Sequence, residues 1–355
     1  MNAIKYIGMD VHLATISIAV LDAAGKLIME LTLATQAGAL LDFIRGLSGT
    51  LYVTLEEGTS AHWLYTLLAP HVAKVVVCDP RQNPRRLGEK KSDRLDARKL
   101  ADGLRLGTLK PVYHGNALGP ALKELVRSYR TLVGDTGRVM SRLKSVYRAR
   151  AIRCGGTRVY SPRYRDQWLA QLLEPGVRGR TERLYKQLDL LMPLRQEARA
   201  AMLAESRKHP AHKILCSIPG LGPVRVALLI ALLQTPHRFR GKRQLWTYAG
   251  LALVTRTSAD YQVVDGALKR ARKPPLVLGL NANHNHALKG LFKDAAVTVL
   301  TRPGPFQDFY TLRIAQGMEP QLARLTLARK IAAIALTLWK KGECFNAEHV
   351  KAQAA

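Results

Sequence analysis

Four acids in this chain are spaced so that they could share a divalent cation. Asp10 closes the strand-like stretch Ile4 to Met9, and Glu56 closes a second, Leu51 to Leu55. Asp93 and Asp96 fall in Lys91-Ser92-Asp93-Arg94-Leu95-Asp96-Ala97-Arg98, a helical pattern, and their i, i+3 spacing puts both on one helix face. Two strand-end carboxylates converging with two helical ones would make an all-oxygen ligand set, which selects hard cations such as Mg²⁺ or Mn²⁺. Two such ions about 4 Å apart stabilise the attacking and leaving oxygens of a phosphodiester displacement. Each acid alone reads as a turn residue, a cap, or a surface partner of Arg94, Arg98 or Lys99. The ordered set of four is what points to metal chemistry, with Glu57 competing with Glu56 for one place.

These acids need a scaffold that holds strand ends against a helix, and residues 4 to 80 read as one. Ile4 to Asp10 reads as a strand, and Thr15 to Leu21 alternates polar and apolar residues. The turn Asp22-Ala23-Ala24-Gly25-Lys26 then folds the chain back into a third strand, Leu27 to Leu33. Helical spacing over Ala37 to Leu47 and Ala61 to Leu68 brackets a fourth strand, Leu51 to Leu55, and a fifth follows at Lys74 to Cys78. Three early strands followed by alternating helix and strand is the order of an α/β RNase H-like sheet.

Charge names the partner class. Among 355 residues, 55 Lys and Arg face 26 Asp and Glu, a net charge of +29. That excess is too large for an ordinary metabolic enzyme and predicts a polyanionic partner. A hydrophobic share of 47% excludes a disordered basic tail as the whole chain. At roughly 150 residues per domain, two or three domains are expected. The longest apolar runs, Val226 to Leu233 and the nearly continuous Ile331 to Trp339, fall well short of the ~18 residues of a membrane span. Lys5 and Asp10 come too early for a signal peptide, so the expected location is the cytosol, facing nucleic acid, with no membrane partner. Cys78, Cys154, Cys216 and Cys344 form no CxxC pair, so neither a zinc site nor a disulfide framework is expected.

Arg138 to Arg165 holds nine Lys or Arg and no acid. Such density predicts phosphate neutralisation with little sequence reading, through Arg138, Arg142, Lys144, Arg148, Arg150 and Arg153. Tyr147, Tyr160 and Tyr164 interleave with these cations and could stack on unpaired bases. Leu122, Leu125, Val126, Tyr129, Leu132, Val133, Met140, Leu143 and Tyr147 follow helical spacing. Leu184, Leu188, Leu191, Leu194, Ala198 and Met202 mark a second long helix that Pro193 should kink. Two such helices around Cys154-Gly155-Gly156 predict an antiparallel or dimerising coiled-coil arm. Further on, Ile214 to Val224 resembles a helix-hairpin-helix element in a mainly helical C-terminal part. Its turn would offer backbone N–H groups to a phosphate at Gly220 and Gly222. The expected division is a catalytic domain over 1–112, an arm over 113–210 and a C-terminal domain over 211–355.

Taken in order, these segments resemble the transposases of the IS110 and IS1111 insertion sequences, the family that includes the Piv-type DNA invertases. The resemblance rests on Tyr6-Ile7-Gly8-Met9-Asp10, Glu56, Lys91 to Arg98, Ile218-Pro219-Gly220-Leu221-Gly222 and Tyr248-Ala249-Gly250-Leu251. Gly304-Pro305-Phe306, Phe309-Tyr310 and Ala328-Arg329-Lys330-Ile331-Ala332 complete it. It implies that Asp10, Glu56, Asp93 and Asp96 are a DEDD metal-binding tetrad. It also implies a serine nucleophile seven residues after the Ala-Gly-Leu leucine, at Ser258, with Thr257 and Ser217 as fallback hydroxyls. The family's implied chemistry is metal-assisted serine transesterification through a phosphoserine link to DNA. Its implied partners are donor and target DNA, a non-coding bridge RNA as guide, and further copies of the chain, as a dimer of dimers. A phosphoserine link conserves bond energy, which agrees with the absence of a GxxxxGK[ST] loop.

Three other readings compete. A RuvC-like metal-dependent endonuclease or junction resolvase would hydrolyse with water and need neither Ser258 nor the long C-terminal half. A non-catalytic nucleic-acid scaffold leaves the four acids unexplained. An actin-like sugar kinase shares the Gly8-Met9-Asp10 start, but the Gly-rich adenosine loops it needs are missing and +29 suits it poorly.

Overall fold

The alternating stretches become strands where period-2 spacing buries one face. The computed structural model describes residues 3–80, 92–114, 120–256, 261–264, 267–270 and 276–351. The chain divides into two compact units, Met1–Gly115 and Asn116–Ala355.

In the first unit, β1 (Ile4–Val11), β2 (Thr15–Asp22) and β3 (Leu27–Ala34) run as an antiparallel meander. After α1 (Ala37–Arg45), β4 (Thr50–Glu56) pairs parallel to β1. After α2 (Ala61–Leu68), β5 (Lys74–Cys78) pairs parallel to β4, giving the order β3-β2-β1-β4-β5. All five expected strands are present, each within about a residue or two of its predicted bounds. Ile7, Met9, Ile18, Val20, Val53 and Leu55 point to one face, where Leu40, Ile44, Leu64 and Leu68 of the two helices close the core. Helix α3 (Asp93–Arg105) packs across β1, β2 and β4.

The second unit opens on two long helices, α4 (Pro120–Arg148) and, after the short α5 (Arg165–Leu169), α6 (Pro175–Arg207). They pack antiparallel. Leu143 and Tyr147 near the end of α4 cluster with Leu184, Tyr185 and Leu188 near the start of α6, while Leu122 and Val126 share a core with Met202 and Leu203. Pro193 does not interrupt α6. It is exposed, so water can satisfy the carbonyl that its ring leaves unpaired. Leu194, expected in the buried stripe, is exposed as well.

The tip of this pair is held by a buried hydroxyl relay. Tyr185 Oη donates to the Val159 carbonyl at 2.9 Å and lies 3.1 Å from Tyr147 Oη, and burial pushes both phenols above their ordinary range. Tyr185→Phe should therefore cost about 1–3 kcal/mol, because it strands two buried polar groups. Urea unfolding would read this directly.

The rest of the unit is mainly helical: α7 (Ala211–Cys216), α8 (Pro223–Leu233), α9 (Lys242–Tyr248), α10 (His286–Val299), α11 (Pro305–Ala315), α12 (Pro320–Lys341) and α13 (Glu348–Lys351). Between α9 and α10 lie two small antiparallel pairs, β6 (Leu253–Arg256) with β9 (Leu276–Leu280) and β7 (Tyr261–Val264) with β8 (Ala267–Arg270). No helix among the described residues is long and apolar enough to cross a membrane.

Candidate metal centre

Gly8 and Asp10 are two apart on β1, so both project from the face opposite the apolar core, toward α3. Strand register lines Gly8 up with Ala19 on β2 and Thr54 on β4. Three small residues abreast make a trough in which α3 lies. The fit is close: a Cβ on Gly8 would come within 2.1 Å of the Ala97 carbonyl oxygen and 2.5 Å of the Ala101 nitrogen. Ala97 and Ala101 are themselves fully buried there. This approach carries Asp93 and Asp96, in the first turn of α3, to the end of β1. Their charges also suit a helix N-terminus.

Asp10, Asp93 and His12 offer ligand atoms all within 4.8 Å of one another. His12 stands two residues past Asp10, with its Nε2 3.1 Å from Asp10 Oδ2 and 3.5 Å from Asp93 Oδ2. Burial raises the Asp10 carboxyl above its usual range. His12 opposes that rise, and the nearby charges of Asp93 and Asp96 add to it. Glu56 follows Leu55, the partner of Met9, so it ends β4 beside Asp10. Glu56 and Asp96 stand outside the closest ligand cluster. The neighbouring Glu57 is exposed and its Oε2 lies 2.5 Å from Nε2 of the nearly buried His114, against which His62 and Tyr65 pack.

His12 and His114 were not foreseen from the sequence. For His12 a signal existed, since residues i and i+2 of an extended chain share a face. His114 is brought in from outside every recognised motif. Two carboxylates and an imidazole, each offering one ligand atom, form a donor set that fits a divalent cation.

The basic arm is less bare than its sequence window. Asp135, Glu174 and Asp189 come in from outside to pair with Arg138, Arg150 and Arg165. Arg142, Arg148 and Arg153 are exposed, and Lys144 lies 5.3 Å from the Tyr160 ring centre. Tyr147 cannot stack on a base: it is fully buried, with its hydroxyl on Tyr185. Sequence periodicity placed it on the packing stripe as well as among the arginines, and packing took it.

In the expected hairpin, Gly220 has a φ of +84°, and a Cβ there would meet Val299 Cγ1 at 2.6 Å, so α10 requires this glycine. Gly222 caps α8 and a Cβ there would meet nothing. Ser217, a fallback hydroxyl, is already engaged: it donates to the Ile214 carbonyl at 2.6 Å and accepts from the Phe345 N–H at 2.8 Å. Ser258 and Thr257 lie outside the described residues. The strand leading to them is anchored: Gly250 takes a φ of +65° against the His284 ring, and Arg329 Nε donates to the Leu251 carbonyl at 2.6 Å.

The sequence also matches known protein families. Residues 7–149 match the DEDD transposases of the IS110 type, and residues 212–276 match the IS116/IS110/IS902 transposase family. A curated relative is the protein of insertion element IS116 from Streptomyces clavuligerus, described there as an uncharacterized 44.8 kDa protein and 31% identical over 118 residues. That stretch covers 33% of this chain and 26% of the relative, so the match spans about a quarter of the relative's length. The chain belongs to the IS110 family of transposases.

Proposed function

We propose that this protein cuts and rejoins DNA strands as a transposase, by metal-assisted serine transesterification. One observation carries the reading: strand-end Asp10 and helix-borne Asp93 meet in a single ligand cluster on the α3 face of the sheet. The order β3-β2-β1-β4-β5, with only the first three strands antiparallel, supports an RNase H-like domain of the RuvC type. The antiparallel α4–α6 pair supports a coiled-coil arm over 113–210, leaving 211–355 as the domain that carries the nucleophile.

Asp10, Asp93, Glu56 and Asp96 are the residues that hold Mg²⁺ or Mn²⁺, with His12 beside them. The bound cation supplies Lewis-acid stabilisation of phosphodiester oxygens. Ser258 attacks the scissile phosphorus. The P–O bond to the leaving strand breaks, and a phosphoserine diester forms that a later strand hydroxyl reverses. The proton lost by the serine is balanced by the one gained by the departing strand oxygen, which leaves as a free hydroxyl. Exposed Arg142, Arg148 and Arg153, with Arg138, Lys144 and Arg150, neutralise nucleic-acid phosphates, and Gly222 offers the α8 N-terminus to another. Guidance by a bridge RNA and assembly as a dimer of dimers complete the proposal.

The test is cleavage of a labelled junction substrate with Mg²⁺ and the flanking RNA, read as protein-linked DNA on a denaturing gel. Wild type should give the adduct and Ser258→Ala none. Cleavage that survives Ser258→Ala without an adduct would assign hydrolysis by water and reject the serine mechanism.

A further inference from the structure

The segment Ala328-Arg329-Lys330-Ile331-Ala332 has no part in the strand chemistry above, yet it holds an unusual side chain. Lys330 is only 6% exposed, in a stretch of α12 otherwise buried through alanine, leucine and isoleucine. Its Nζ is buried with no hydrogen-bond partner and lies 4.9 Å from the centre of the Phe309 ring on α11. The guanidinium of Arg313 lies 5.1 Å from the same ring centre, and its Nε is likewise buried without a partner. Burial pushes the Lys330 amine down to about 8, and the positive charges of Arg313 and of Lys242 on α9 push in the same direction. Among the described residues, the charges acting on that amine include no carboxylate.

Burying an unpaired ammonium costs several kcal/mol, and placing two more cations nearby raises that cost. Stability alone does not explain two cations meeting on one aromatic ring, with a third, Lys242 on α9, near enough for its charge to act on the buried amine. A ring face holds an ammonium through its quadrupole, but only by about 0.5–2 kcal/mol. The component that would balance this cluster is an anion.

We infer that Lys330, Arg313 and Lys242 form a phosphate-binding site that takes a backbone phosphodiester of a nucleic acid. A guanidinium fork beside two ammonium point charges is the donor set that grips phosphate oxygens. In a chain of net charge +29, the backbone of DNA or RNA is the anion that charge selects. Phe309 holds the lysine over its ring face. The inference rests on nucleic acid being the partner, and not on the serine mechanism.

Lys330→Met keeps length and packing while removing the charge. Binding of the full chain to a labelled DNA duplex and to a labelled RNA hairpin would be followed by anisotropy across a salt series. The log–log salt slope of Lys330→Met should fall by about one unit relative to wild type. Inorganic phosphate should raise the melting temperature of wild type and not of the variant. Lys242→Gln, at an exposed position, should move the slope the same way. Loss with DNA alone or RNA alone would support the site and name its ligand, and loss with both would make it a general backbone contact. Unchanged slopes in both variants, with Lys330→Met simply more stable, would overturn the site. Failure of wild type to bind either probe would overturn the nucleic-acid reading itself.

Discussion

Asp10→Asn should abolish strand cleavage, lowering its rate by three orders of magnitude or more, about 4 kcal/mol of transition-state stabilisation. Asp10 is the one carboxylate of the ligand cluster that is largely shielded, with 21% of its side chain exposed against 52% for Asp93. A cation held there loses both its best-desolvated charge and the group that His12 orients. The same substitution should have the opposite effect on the metal-free protein. Burial already disfavours the Asp10 anion, and Asp93 and Asp96 repel it. The neutral amide removes both penalties, so the metal-free melting temperature should rise while Mn²⁺ binding, read by calorimetry, disappears. Active sites commonly trade stability for function in this way. An Asp10→Asn protein that binds Mn²⁺ as wild type does would remove Asp10 from the metal site, whatever its activity.

The scaffold of this centre is legible in the sequence because strand alternation is a local signal. Each strand shows its own period, and the turn at Gly25, with a φ of +88°, announces the first hairpin. The aspartates of α3 are equally legible, since i, i+3 spacing fixes their common face. What is not local is not legible. Ala19, Gly8 and Thr54 are unremarkable small residues until strand register sets them side by side. The window Arg138 to Arg165 contains no acid, yet helix pairing brings Glu174 and Asp189 to two of its arginines. Tyr147 carries one residue type that suits two roles, and only the position of Tyr185 decides between them. Lys330 is one lysine in a helical run, and only the placing of Phe309 on α11 against it marks it out.

Gly8→Ala should be strongly damaging although it touches no catalytic group. The added methyl would sit 2.1 Å from the Ala97 oxygen and 2.5 Å from the Ala101 nitrogen, both backbone atoms that cannot swing aside, and 3.1 Å from Leu100 Cβ. Either β1 yields, disturbing its pairing with β2 and β4, or α3 moves outward by about an ångström. Overpacking of this kind costs about 1–3 kcal/mol, read as a lowered melting temperature. The displacement also carries Asp93 away from Asp10, and a shift of that size costs roughly 10²-fold in rate where groups must be pre-positioned. Cleavage should therefore fall by about that factor even at temperatures where the variant remains folded, and Mn²⁺ affinity should fall with it. Gly38→Ala on α1, where an added methyl meets nothing within 4 Å, is the matched control and should change neither quantity for the worse. Wild-type cleavage and stability in Gly8→Ala would mean that α3 does not lie against β1 at this point, and the approach that joins the two aspartates would have to come from elsewhere in the sheet.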